Sequence, residues 1–77
     1  MTLEEAWNLL ESLNVDANQQ AKDLWISNDF NKAIQYQSSC FRKSFLKLDN
    51  NQQQLIQYWI STDDEFQDYF KCLSGDE

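Results

Sequence analysis

A chain of 77 residues with no proline and a single glycine has few places to turn tightly. Sheets need a turn at the end of every strand, and turns draw heavily on Gly, Pro, Asn and Asp. Nearly every residue type present tolerates a helix interior. The expected fold is all-α: one domain over residues 1–77, built as a small four- or five-helix bundle or orthogonal helical array. A domain of about this length buries only roughly 60% of the surface its unfolded chain exposes. Three Trp, three Tyr and five Phe supply bulk to offset that thin margin.

Capping signals mark the helix starts. Thr2 with Glu5, Asp16 with Gln19, Asp49 with Gln52 and Thr62 with Glu65 each place an oxygen acceptor three residues before a Glu or Gln, the pattern of a capping box. Ser27, Asn28 or Asp29 offers a fifth start, and Gly75 suits a left-handed stop. Helices are predicted over about 3–13, 17–27, 30–48, 50–61 and 63–73, with residues 49–73 open to being two helices or one bent one. Apolar residues recur at helical spacing within each span. In the third, Phe30, Ile34, Gln37, Phe41, Phe45 and Leu48 share the face expected to be core. Trp7, Trp25, Tyr58 and Trp59 are also placed in the core, and Cys40 and Cys72 are read as buried free thiols.

The net charge of −7 is unevenly spread. Residues 1–29 carry −5, residues 30–48 carry +4, and residues 61–77 carry −5. An acidic chain is a poor start for neutralising phosphates, so direct nucleic-acid binding is not expected. Histidine is absent, which removes the commonest general base, and no glycine-rich phosphate loop or nucleophile elbow is present; an enzyme is not expected. Two isolated cysteines without histidine do not complete a zinc shell, and the acidic stretch "STDDEFQDYF" lacks the glycine and alternating oxygens of a calcium loop. Neither metal nor cofactor is expected. No run approaches the roughly 18–20 apolar residues that cross a bilayer. "MTLEEAWNLL" lacks a basic leader region and a cleavage site, so a soluble cytoplasmic protein is expected.

"DFNKAIQYQ" resembles the start of the second helix of a tetratricopeptide repeat. Asp29, Phe30, Lys32, Ala33, Ile34 and Tyr36 carry the resemblance, and "LDNN" at 48–51 is similar to that repeat's closing turn. It covers about a third of the chain. A helix from Phe30 to Leu48 is longer than that repeat's, the usual Pro is missing, and there is no second copy. Such repeats need about three copies to bury a core, so no function is carried across.

Two surfaces remain as candidate partner-binding sites. On the third helix Lys32, Tyr36, Ser39, Lys43 and Lys47 line the face opposite the expected core. On the fifth, Asp63, Asp64 and Glu65 fall in the first turn, where they favour the positive end of the helix dipole, with Asp68 one turn beyond Asp64. Glu4, Glu5 and Glu11 would extend this acidic surface if the first and fifth helices pack side by side. The expected function is a non-enzymatic acidic protein-binding module, an inhibitor, adaptor or regulatory subunit. It would act through these charged faces on another protein, one form being occupation of a basic surface on a nucleic-acid-binding partner. A self-associating homodimer is the second reading. A helix-turn-helix DNA binder is the third, with the net charge against it.

Overall fold

The computed structural model describes residues 2–75; Met1, Asp76 and Glu77, the last two counted in the acidic end above, lie outside the described residues. Five helices follow one another: α1 (Leu3–Gln20), α2 (Lys22–Ile26), α3 (Phe30–Leu46), α4 (Asn50–Thr62) and α5 (Asp64–Ser74), with no strand among the described residues. Residues 49–73 thus form two helices, parted by Asp63 alone.

The first boundary falls later than expected. Asp16 caps nothing and lies inside α1. Neither Gly nor Pro interrupts the segment, and a helix once begun extends at little cost. Ala6, Leu10, Leu13 and Ala17 form one buried stripe that runs straight through the expected break. α1 ends instead at Ala21, a fully buried residue whose carbonyl accepts from the amides of Leu24 and Trp25.

In the turn after α2 the three candidate starts take different parts. Asn28 does not start α3; it stands at φ 61. Its amide donates to the Trp25 carbonyl at 3.2 Å and the Asp29 amide to the Leu24 carbonyl at 3.1 Å. That pair of bonds is a Schellman stop, and asparagine is the residue after glycine that best accepts the left-handed region. Asp29 is the N-cap position of α3. An equal N-cap residue is not an equal left-handed one. Asn28→Ser should therefore lower stability by about 1 kcal/mol, whereas Asn28→Gly should hold or raise it. Thermal melts of the two variants check this, and an unchanged Asn28→Ser beside a weakened Asn28→Gly would contradict the assignment.

Thr2 and Asp49 cap as expected, accepting from the Glu5 amide at 3.2 Å and the Gln52 amide at 2.9 Å. At α5 the cap moves by one residue. Asp63 accepts from the Phe66 amide at 2.9 Å, while the Thr62 hydroxyl donates back to the Tyr58 carbonyl and belongs to α4. Gln53 closes the other end of the α3–α4 joint. Its amide nitrogen lies 3.1–3.3 Å from the carbonyls of Phe45, Leu46 and Leu48 at the end of the helix.

Helix directions follow from their contacts. Trp7 meets Phe66 and Tyr69 at ring separations of 5.0 and 5.4 Å, and Glu11 meets Tyr69, so α1 and α5 run the same way. Phe41 and Phe45 both meet Phe70, and Arg42 donates to the Ser74 carbonyl, so α3 runs against α5. Leu10, Phe41, Ile56 and Phe66 are the large side chains fully buried where these helices join. Gly75 closes α5 at φ 76, as expected, and its lack of a side chain also matters: a Cβ there would meet Ser38 at 3.2 Å.

α3 turns its expected face to the core from Gln37 onward, where Phe41 is buried and Phe45 and Leu48 pack against the core, but its first two turns do not follow. Ala33, Ser38, Cys40 and Phe41 are buried, while Phe30 and Ile34 are 53% and 54% exposed. α5 ends at Gly75 beside Ser38, so Phe30 and Ile34 lie past its end. Gln37 accepts from the Trp25 indole at 3.0 Å and donates to Asn14 at 3.2 Å, which ties α1, α2 and α3 through one amide. Ala33, one turn earlier, is the small residue that lets the helices close. Tyr58 is 55% exposed and Cys72 is exposed, so neither is in the core; Trp7, Trp25 and Trp59 are half-buried.

Candidate functional site: an acidic seam between α1 and α5

Helix geometry advances about 100° per residue. On that count Glu4 and Glu11 stand on the same flank of α1 as Trp7, and Glu65 stands on the flank of α5 that carries Tyr69. The contacts of Trp7 with Phe66 and Tyr69 bring these two flanks together. Because α1 and α5 run in parallel, both helix N-termini lie at one end, with Glu4 and Glu5 in the first turn of one and Asp64 and Glu65 in that of the other. Each pair favours its own helix dipole. α1 and the Asp63–Gly75 segment together carry Glu4, Glu5, Glu11, Asp16, Asp63, Asp64, Glu65 and Asp68 against one cation, Lys71.

Among the described residues the one ion pair is Lys32 with Asp29, at 3.8 Å on a different helix. The seam carboxylates have no cation within salt-bridge distance there. Glu4, Glu5, Glu11, Asp64, Glu65 and Asp68 are all exposed. Asp63 is the exception among the predicted acidic residues. It is half-buried and spends its carboxylate on the α5 cap, not in a first-turn surface position, because α4 continues through Thr62.

Tyr69 links the two sides of the seam. Its hydroxyl donates to Glu11 Oε1 at 3.4 Å. Partial burial raises its pKa above 10.0, and the neighbouring Glu11 charge and hydrogen bond raise it further. The folded state therefore holds this proton more tightly than the unfolded chain. Tyr69's contribution to stability is fully present below the unfolded value near 10 and is lost as pH rises from there through the higher folded value. Glu11→Gln should move the Tyr69 titration down without restoring the free value, since burial remains the larger cause. Ultraviolet titration of the phenolate in a Tyr36→Phe, Tyr58→Phe background reads this directly. An unmoved titration would mean that Glu11 and Tyr69 are not in contact.

The basic candidates stay apart from this seam on α3. Lys32, Tyr36, Lys43 and Lys47 are exposed along a stripe about 22 Å long. Lys32 is engaged with Asp29, and Lys47 forms the α3 C-cap position. The Cys40 thiol beside Tyr36 raises that phenol's pKa. Arg42, to one side of the stripe, holds the last turn of α5.

No group of three Cys, Asp or Glu side chains among the described residues is placed to hold a metal ion. No helix among them is long and apolar enough to cross a membrane. Comparison with protein-family models, with characterised proteins and with solved structures finds no match.

Proposed function

We propose that this chain is a non-enzymatic protein-binding module that engages a basic surface of another protein through the α1–α5 seam. An inhibitor or regulatory subunit is the form that fits best, and a nucleic-acid-binding protein is the partner whose groove such a seam would occupy. One observation carries the proposal: α1 and α5 pack in parallel, so carboxylates from the two ends of the sequence share one surface, with no ion pair to them among the described residues. Carboxylates on rigid helices are already ordered before binding, and they steer a cationic partner inward at long range. The lysine stripe is the weaker candidate because it sits in the field of a chain with net charge −7. The free thiols Cys40 and Cys72 suit a reducing compartment, and a cytoplasmic setting is part of the proposal.

The test is capture from the native lysate by the protein and, in parallel, by its Glu65→Lys, Asp68→Lys variant. One stoichiometric partner that leaves as salt rises, and that the variant does not retain, supports the proposal. Equal retention by the variant removes it.

A further inference from the structure

The first two turns of α3 present an apolar face that no other described residue covers. Ile26 at the end of α2 is 67% exposed, and Phe30 and Ile34, one turn apart on α3, are each more than half exposed. Trp25 joins them, its ring 5.9 Å from that of Phe30. Beside this face an open cleft of about 320 Å³ is lined by Asn18, Gln19, Lys22, Trp25 and Ile26. Isolated exposed apolar residues are ordinary, but a contiguous group with a cleft at its edge marks an interaction surface.

We propose that this α2–α3 corner is a homodimer interface, with a second copy of the chain as its occupant. Charge favours a second copy here. Two bodies of net charge −7 repel wherever their carboxylates meet. From Ala17 to Cys40 the only charged residues are Lys22, Asp23, Asp29 and Lys32, which sum to zero. The rim of the face is made largely of amides, with Asn31 and Gln35 on α3 next to Phe30 and Ile34, and Asn18 and Gln19 across the cleft. An amide carries both donors and an acceptor, so across a two-fold axis it pairs with its own kind. Phe30 and the cleft lie side by side on one protomer. A two-fold therefore seats each Phe30 in the partner's cleft, the reciprocal contact that a symmetric dimer requires. This proposal stands apart from the reading of the acidic seam, which the dimer leaves uncovered.

Sedimentation equilibrium of the full chain over a wide concentration range, at low and high salt, tests it. The expected result is a reversible monomer–dimer equilibrium that strengthens as salt rises, because salt screens the repulsion between acidic bodies. Phe30→Glu and Ile34→Glu should each weaken the dimer by roughly thirty-fold or more, as loss of a central anchor does. Leu46→Glu, which is 72% exposed and lies outside the face, should leave it unchanged. Circular dichroism confirms that each variant is folded, and Ile26→Glu decides the matter if Phe30→Glu unfolds. A wild-type chain that stays monomeric up to millimolar concentration overturns the proposal. So does a dimer indifferent to Phe30→Glu and Ile34→Glu. A dimer that dissolves with salt overturns it as well, since that is the mark of acidic helices set against lysine stripes.

Discussion

Phe66→Ala should leave the protein largely unfolded at physiological temperature. Phe66 is fully buried, it meets the Trp7 ring edge-on at 5.0 Å, and its amide receives the Asp63 cap at 2.9 Å. It therefore joins α1 to α5 at the foot of the seam. Truncating a buried Phe costs about 3–5 kcal/mol. A chain of this length is stable by roughly 4–12 kcal/mol in total. The loss takes a large fraction of that, and each kcal/mol moves the melting temperature by about 4–8 °C in so small a domain. Thermal denaturation followed by circular dichroism should show a midpoint shift of that size. Tyr58→Ala, at an exposed aromatic, should stay within about 0.5 kcal/mol of wild type. A Phe66→Ala loss below about 1 kcal/mol would mean that α1 and α5 do not share a core, and the acidic seam would fall with it.

The largest expected effect on function is kinetic. Glu65→Lys with Asp68→Lys changes the net charge from −7 to −3, two units for each reversal. Asp16→Lys with Asp23→Lys makes the same change away from the seam. Both Glu65 and Asp68 are exposed and neither caps a helix, so the fold should survive. Steering by a focused charge raises association rates by about 10- to 1000-fold. Reversal at the seam should remove most of that gain, while the matched pair should lose only the share owed to net charge. Stopped-flow association with the captured partner measures both. The wild-type rate should also fall steeply with ionic strength, and the seam variant's should be nearly flat. Equal losses in the two variants would assign the effect to total charge and leave the seam no special part.

Much of this fold was legible in the residues. The lack of proline and the single glycine forced helices, and Thr2, Asp49 and Gly75 cap or end them as their types suggest. What was hidden lay where one residue serves two structures. Asp16 carries a capping signal, but the apolar stripe from Ala6 to Ala17 continues past it, and burial outweighs a cap. Asn28 has the composition of a start and the backbone of a stop. Periodicity ranked Phe30 and Ile34 as core because it carries the face of Phe41 and Phe45 back along the helix and cannot see that α5 stops beside Ser38. Tyr58 and Cys72 went wrong for a related reason: a residue's type favours burial, but its helix shows only one side to the core.

The candidate seam was legible only in halves. Glu4, Glu5 and Glu11 stand at one end of the chain and Asp64, Glu65 and Asp68 at the other, and only tertiary packing joins them. Asp63 belonged to the cap rather than the surface, a shift of one residue that the competing Thr62 signal concealed. Nothing in the sequence around Tyr69 points to a partner on α1. Its hydroxyl bond to Glu11 could be found only once α1 and α5 were known to run in parallel.

The central claim is that the α1–α5 carboxylates form the surface that receives a basic partner. The most direct measurement is a nitrogen-15 NMR titration of the full chain with a lysine-rich peptide of defined length. The account predicts amide shifts concentrated at Glu4, Trp7, Glu11, Glu65, Asp68 and Tyr69, vanishing as salt rises. Shifts spread evenly over all exposed carboxylates, or centred elsewhere, would contradict it.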